Sequence, residues 1–120
     1  MPSGPLYPEK RHFVSKRWGW EDWIYNGKYC GKILFIKNGH KTSFHYHKEK
    51  DEVLYVQSGM IELFYNDKDD EVKAGRLLMN AGDAFRIKPE LRHRIVAITD
   101  AYLFETSTHH EDSDSYRVFE

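Results

Sequence analysis

The chain is 120 residues long, and with 40% hydrophobic and 15% aromatic residues it is long enough for one domain with a single core and too short for two. Its 18 Lys and Arg residues nearly balance its 19 Asp and Glu residues, which excludes the strongly basic profile of proteins that bind nucleic acid or anionic membranes. We therefore expect a single domain over 1–120 whose partner is a small molecule, with no nucleic acid and no membrane among its partners.

The N-terminal segment, MPSGPLYPEKRHF, is polar and rich in proline, unlike the apolar region of a signal peptide. The chain contains no run of about 18 apolar residues. Cys30 is the single cysteine and has no partner for an internal disulfide, which agrees with a reducing compartment. We expect residues 1–16 to form an N-terminal arm and the protein to be soluble and cytoplasmic.

Short stretches with strand-like alternation or short apolar runs fill most of the remaining chain. Turn-forming separators such as NGK, KNGH and NAGD divide them. No helical stretch of convincing length competes, so the sequence predicts an all-β antiparallel barrel or sandwich, whose closure removes exposed edges, and a polar tail over 107–120. The nine candidate strands are 20–25, 29–36, 42–47, 52–57, 60–65, 76–79, 84–87, 93–98 and 101–106.

The third candidate strand contains two histidines, His45 and His47, separated by one residue. Side chains two residues apart on a strand project from the same face, so both imidazoles can reach one ion. The chain becomes extended again at Glu52, where we expect a hairpin partner to place the carboxylate across from the histidines. His93, which begins the eighth candidate strand, is the candidate for a fourth ligand.

Three neutral imidazoles and one carboxylate suit one divalent transition metal per chain, and leave coordination positions open for water or substrate. The residue types do not choose among Mn, Fe, Ni, Co, Cu and Zn. A pair of histidines alone also occurs on exposed strands and in ordinary cores, so the spacing of the whole set carries the prediction.

That spacing, from Gly39 through the two histidines and Glu52 to Gly59, resembles the first motif of the cupin superfamily without a gap. The stretch GDAFRIKPELRHRIV is similar to the second cupin motif, with Lys88 and Glu90 where that family usually has Pro and Gly. The resemblance covers roughly 32–106 and implies a small cupin-type double-stranded β-helix, a jelly-roll barrel of antiparallel strands. It also implies a metal held inside this barrel by His45, His47, Glu52 and His93.

The two ends of the chain resemble the type II mannose-6-phosphate isomerases of this superfamily. The segment KRWGWEDWIYNGKYCGK matches their N-terminal segment, although Arg17 stands where those proteins have Pro. This resemblance implies interconversion of an aldose and a ketose, on a sugar or sugar phosphate, through a metal-stabilised cis-enediolate. It also implies a homodimer that pairs through its sheets. The matching positions in the tail are Glu105, Asp112, Asp114 and Arg117.

Glu105 is the candidate catalytic base, because a carboxylate inside a barrel loses hydration and its pKa rises toward a useful range. An ion pair at the barrel rim is the alternative role for this residue. Arg117 and Arg92 are candidates for binding a phosphate, since a guanidinium presents two donors to phosphate oxygens. Lys41, close to the expected mouth of the barrel, either attracts an anion or only solvates a turn.

Two other functions stay open at this point. Three histidines and one glutamate also describe the iron dioxygenases of the cupin superfamily, and a sugar-binding barrel without a positioned base would be non-enzymatic. A proton shuttle with several cationic groups favours the isomerase, whereas a drier aromatic pocket favours the dioxygenase. Trp18, Trp20 and Trp23 fit a buried barrel face or a dimer seam, or else a stacking platform for a sugar ring.

Overall fold

The computed structural model describes residues 11–120, so residues 1–10 of the expected N-terminal arm lie outside the described residues. Over this range the chain forms eleven β-strands and one 3-10 turn, and no helix in it is long and apolar enough to cross a membrane. The strands are β1 (His12–Lys16), β2 (Gly19–Asn26), β3 (Tyr29–Ile36), β4 (Phe44–Tyr46), β5 (Glu52–Ser58), β6 (Met60–Asn66), β7 (Gly75–Asn80), β8 (Ala84–Ile87), β9 (Arg92–Ala97), β10 (Ala101–Thr108) and β11 (Tyr116–Phe119), with the 3-10 turn over Asp112–Asp114.

The strands form two antiparallel sheets that face each other. One has six strands in the order β1-β2-β3-β10-β5-β8, and the other has five in the order β11-β4-β9-β6-β7. This arrangement confirms the predicted all-β jelly roll of antiparallel strands. The nine candidate strands are all present, with bounds that differ by no more than two residues at either end.

Two short strands were not predicted from the sequence. β1 lies in the segment interpreted as an arm and β11 in the segment interpreted as a polar tail. Both are at most five residues long and mix charged with apolar side chains, so their period-two pattern is too short to identify. β1 extends the edge of one sheet and β11 that of the other.

The expected hairpin between the strand with the two histidines and the strand that begins at Glu52 is wrong. β4 lies in the five-stranded sheet and β5 in the six-stranded sheet. The charged connection 47–51 therefore crosses from one sheet to the other. Glu52 faces the histidines across the interior of the sandwich instead of along a shared sheet.

Gly59 forms the turn between β5 and β6. Its φ is 88°, and a Cβ at this position would lie 2.2 Å from the carbonyl oxygen of Asp100. The left-handed backbone and the close approach both require glycine. This explains the final glycine of the cupin-like spacing.

The hydrophobic core lies between the two sheets, and every second residue of the central strands points into it. Along β10 the inward residues are Ala101, Leu103 and Glu105, so the row starts apolar and ends on a carboxylate. In chain order β5 and β9 run the other way, from the polar Glu52 and His93 to apolar residues, and on β3 the polar Lys32 precedes the apolar Leu34 and Ile36. One end of the interior is therefore a hydrophobic core, and the other end is lined by polar groups.

Candidate metal centre

Three histidines meet at the polar end of the interior. His45 is on β4, His47 directly follows that strand, and His93 on β9 is the register partner of His45. One ligand nitrogen from each ring lies within 4.8 Å of the others. The two residues of the HxH pair share a face as expected, and the pairing of β4 with β9 adds the third ring.

The second nitrogen of each imidazole is already hydrogen-bonded to a main-chain carbonyl. The Nδ1 atoms of His45, His47 and His93 lie 2.8 Å from Ser43 O, 3.0 Å from Asp114 O and 2.9 Å from Leu91 O. Because a carbonyl oxygen only accepts, Nδ1 of each ring donates a proton, and Nε2 is the nitrogen left for an ion. Outer hydrogen bonds of this kind orient the histidines of metal sites.

Glu52 approaches the histidines from the opposite sheet. Its Oε1 lies 3.4 Å from His93 Nε2 and 4.0 Å from His47 Nε2, and the residue is only 4% exposed. Burial by itself would raise the pKa of Glu52, but Lys50 and His93 hold that pKa well below its usual range. A carboxylate anion therefore completes the group of donors.

Burial keeps the imidazoles of His45 and His47 neutral. It lowers the pKa of His45 well below its ordinary value, with the nearby His93 and His47 adding to the effect. It also lowers the pKa of His47 to about 4, although Glu52 opposes this shift. Neutral imidazoles and an ionised carboxylate are the protonation states that transition metals bind. The residues present therefore fit a metal ion, and the three histidines can hold one.

Glu105 lies next to this group on the inner face of β10. The residue is 6% exposed, and its Oε2 accepts a hydrogen bond of 2.6 Å from Lys50 Nζ. Burial and the neighbouring Glu52 raise the pKa of Glu105 to about 7, against the opposing effect of Lys50 and Lys32. The carboxyl group thus points inward, as expected, and it is not at the rim.

Three buried cationic or titratable side chains of this region were missed by the sequence analysis. Lys32, Lys50 and His110 are 2%, 3% and 8% exposed. Lys50 belongs to the same charged segment as the exposed Lys48 and Glu49, so no local pattern separates it from them. His110 lies in the segment expected to be a polar tail, but it is buried and its Nδ1 lies 3.0 Å from Lys50 Nζ. The alternation of β3 does place Lys32 inward, and that pattern is the one feature that could have identified it.

A cavity of about 920 Å³ opens from this polar end. Its lining joins three kinds of surface. The first is the polar group of site residues, His45, His47, Glu52, His93 and Glu105. The second is an apolar wall formed by Trp18, Leu34, Ile36, Leu54 and Ile95. The third is a set of exposed cations around the opening, Lys16, Arg17, Lys41 and Arg117.

Two of the three candidate substrate-binding residues line the cavity and the third does not. Lys41 and Arg117 line the cavity, and Arg117 Nη1 lies 2.8 Å from Glu120 Oε1. Arg92, contrary to its prediction as a substrate-binding residue, lies outside the cavity lining. It precedes the inward-facing His93 on β9 and so points to the outer face. There its guanidinium stacks 3.7 Å from the centre of the Tyr46 ring and its Nε donates to Asp69.

The model of the Cupin domain family matches residues 33–107. No curated protein matches the chain by sequence. Among solved structures, the capsular polysaccharide assembling protein CapF from Staphylococcus aureus is similar with a TM-score of 0.80 and 16% identity, over 100% of this chain and 34% of that chain.

Two further solved structures are similar. Oxalate decarboxylase from Bacillus subtilis has a TM-score of 0.77 and 16% identity, over 89% of this chain and 30% of that chain. KdgF from Halomonas sp. has a TM-score of 0.64 and 21% identity, over 78% of this chain and 81% of that chain. The chain thus spans about a third of the length of CapF and of oxalate decarboxylase. At these identities, the likeness is one of fold.

Proposed function

This chain belongs to the cupin family, and from that membership we propose that it is a metal-dependent isomerase of sugars or sugar phosphates. One divalent transition metal would be held by His45, His47, Glu52 and His93. When bound at such a site, a divalent ion supplies Lewis-acid polarisation of a carbonyl group. All other steps belong to residues of the chain itself.

The observation that carries this proposal is the position of Glu105 in the same cavity as the three histidines. Aldose to ketose interconversion needs one group that removes a proton from a carbon beside a carbonyl and returns it to the neighbouring carbon. A carboxyl group whose pKa lies near 7 can do both at neutral pH. Glu105 is the proposed base, and the hydrogen bond from Lys50 keeps its carboxylate oriented.

Lys41 and Arg117 are the proposed contacts for polar or anionic groups of the substrate at the cavity opening. Both are exposed and both line the cavity. Exposed cations around an opening attract an anion before it binds. Arg92 lies outside the cavity lining and is not part of this proposal.

One observation favours a second function, an oxygen-using metal cupin. Part of the cavity wall is apolar, over Trp18, Leu34 and Ile36. A drier wall of this kind also suits the oxygenation of an apolar substrate. The same metal ligands would serve that reaction, and Glu105 would then have no role as a base.

Deuterium exchange tests the isomerase directly. Metal-loaded protein is incubated in deuterated water with aldoses and their 6-phosphates, and exchange at C2 is followed by NMR. We expect exchange for at least one member of this panel. Glu105→Gln should keep its metal and lose the exchange, whereas the control Glu62→Gln, which removes a carboxylate on β6 outside the cavity lining, should retain both.

Two results would contradict the proposal. Full exchange by Glu105→Gln would remove that residue from the role of base. Absence of exchange over the whole panel would reject the isomerase, and oxygen uptake by the metal-loaded protein with an apolar substrate would favour the second function.

The homodimer stays a prediction, which we propose for the outer face of the six-stranded sheet. Phe13, Trp20, Phe35 and Tyr102 form a group of rings there with neighbouring centroids 5.0 to 6.0 Å apart. Phe13 is 57% exposed and Tyr102 is 39% exposed. Light scattering should give the mass of two chains for the wild type and of one chain for Tyr102→Glu.

A further inference from the structure

A buried lysine lies beside the proposed base on the inner face of the six-stranded sheet. Lys32 on β3 is the register partner of Trp23 on β2 and of Glu105 on β10. The three side chains therefore form a row across neighbouring strands. The Lys32 side chain is 1% exposed and lines the same cavity as the three histidines. A buried ammonium is costly unless it is paired and hydrogen-bonded.

The ammonium group of Lys32 is only partly satisfied. Within residues 11–120, its single hydrogen-bond acceptor is Glu21 Oε1 at 3.4 Å, and it lies 4.1 Å from the centre of the Trp23 ring. A lysine has three N–H donors. Glu21 Oε1 also accepts a shorter bond of 2.8 Å from Trp23 Nε1. Lys32 therefore retains donors for another acceptor.

The second buried lysine of the cavity differs in this respect. Lys50 Nζ lies 2.6 Å from Glu105 Oε2, 3.5 Å from Glu52 Oε2 and 3.0 Å from His110 Nδ1. These three partners match the three donors of its ammonium group. Lys50 therefore serves to hold protein groups in place, and Lys32 is the buried cation with donors left for a ligand.

The charges around Lys32 indicate which ligand is complementary. Counted as fully ionised, the two buried lysines and the three glutamates of the inner wall carry a formal net charge of −1, and a divalent ion held at the histidines would change this to +1. One anionic group would then balance the buried charges. The exposed cations at the opening favour the approach of an anion as well. The three glutamates are Glu21, Glu52 and Glu105.

We propose that Lys32, supported by the Trp23 ring, binds an acid group of the substrate, so that the cavity takes a small polyhydroxylated anion in preference to a neutral sugar. This inference rests on the proposed function, because it places that ligand in the same cavity. The acceptor is an oxyanion, either the phosphate of a sugar phosphate or the carboxylate of a sugar acid. Both accept a charge-assisted hydrogen bond from an ammonium group.

Calorimetric titration of the full chain, with and without bound metal, tests the inference. The probes are hexoses of glucose, mannose and galactose configuration, with the matching hexose 6-phosphates and hexuronates. We expect the wild type to bind at least one acid-bearing probe about tenfold to a hundredfold more tightly than the neutral hexose, since a hydrogen bond to a charged group contributes in this range. The class of probe that shows the preference identifies the acid group.

The double variant Glu21→Gln/Lys32→Met should lose this preference while its affinity for the neutral hexose stays the same. Removing both partners avoids an unpaired buried charge, so this variant should fold. The single variant Glu21→Gln, which keeps the lysine, should retain the preference. Lys73→Gln, an exposed lysine outside the cavity lining, is the surface control and should also retain it.

Three results would overturn the inference: equal affinity of the wild type for neutral and acid-bearing probes, an unchanged preference in the double variant, or loss of the preference in Arg117→Gln alone. Failure of the proposed function is a separate result. Exchange at C2 without a charge preference would keep the isomerase and reject the role of Lys32. A charge preference that depends on Lys32, without exchange at C2 of any sugar, would keep the role of Lys32 and reject the isomerase.

Discussion

The two ends of the barrel interior are built by the same strands and have opposite chemistry. At each end the inward side chains are nearly fully buried, and along each strand they follow the same period of two. β5, β9 and β10 contribute Val56, Ala97 and Leu103 to one end, and Glu52, His93 and Glu105 to the other.

This difference separates stability from function. Burying an apolar side chain stabilises the fold by roughly 1.5 to 3 kcal/mol, whereas burying polar and charged groups has a cost that only suitable partners offset. A fold that needed only stability would continue the apolar rows. The polar end is therefore where a bound ion and a ligand would supply the missing interactions.

The largest effect is expected from His47→Ala at the polar end. It removes one proposed ligand and leaves a space that water must fill, so bound metal should fall from about one ion per chain to almost none, a larger loss than the 10- to 100-fold typical of outer hydrogen-bond partners. Elemental analysis of purified protein measures this. His109→Ala, which removes an exposed histidine bonded to Gly27 and Glu111, is the matched control and should keep its metal. Equal metal in His47→Ala and the wild type would show that the three rings do not share an ion.

The next effect is expected from Leu103→Ala at the apolar end. Leu103 is 0% exposed, and removing a buried leucine side chain should lower the free energy of unfolding by about 2 to 5 kcal/mol. Urea unfolding of the metal-free protein measures it, and the metal content of folded protein should stay the same. Leu78→Ala, at a side chain that is 50% exposed, should have a much smaller effect. If Leu103→Ala lost its metal but kept the wild-type free energy of unfolding, the two ends would not differ in the way described.

A smaller effect concerns the pH dependence of the metal-free protein. The pKa of Glu105 rises from 4.5 to about 7 on folding, so between these values the folded protein binds a proton that the unfolded chain does not. The contribution of Glu105 to stability should therefore be fully present below about pH 4.5 and be lost as the pH rises through about 7, with a size of at most about 3 kcal/mol.

Comparison of the wild type with Glu105→Gln by urea unfolding across this range isolates that contribution. His47, with its pKa lowered to about 4, has the opposite effect. The contribution of His47 to stability grows as the pH rises from about 4 to about 6.5. Because the wild type and Glu105→Gln both contain His47, this contribution cancels in the difference between them. A difference between the two proteins that does not vary with pH would show that Glu105 keeps an ordinary pKa.

The smallest effect is expected at Asp114, which supports the polar end from outside. Its carboxylate accepts hydrogen bonds of 2.9 to 3.2 Å from the main-chain N–H groups of Lys48, Glu49 and Lys50, and its carbonyl accepts from His47 Nδ1. Asp114→Asn loosens this support and should weaken metal binding by about tenfold, the lower end of the range for such partners. Competition with a chromophoric chelator measures it, and Asp69→Asn on the outer face is the control. Unchanged affinity would mean that the Asp114 carboxylate does not help to position His47.

The candidate site was only partly predictable from the sequence. His45 and His47 could be placed on one face because their spacing and the strand period are both local properties. His93 and Glu52 were found through the cupin spacing, but the reason offered for Glu52 was wrong, because it reaches the histidines from the opposite sheet. Lys50 and His110, 60 residues apart, meet only because the segment after β10 returns to the site.

By itself, the sequence determined nine of the eleven strands and the residues that share a face on each, because a side-chain period of two is set by the local backbone. The tertiary structure alone decided which polar groups lose their water. Lys32, Lys50, Arg94 and the exposed Lys48 are all cations in strands or short loops, and the first three are buried because another sheet or the C-terminal segment covers them. Burial depends on packing between distant segments, and for that reason the partly satisfied ammonium group of Lys32 was visible only in the folded molecule.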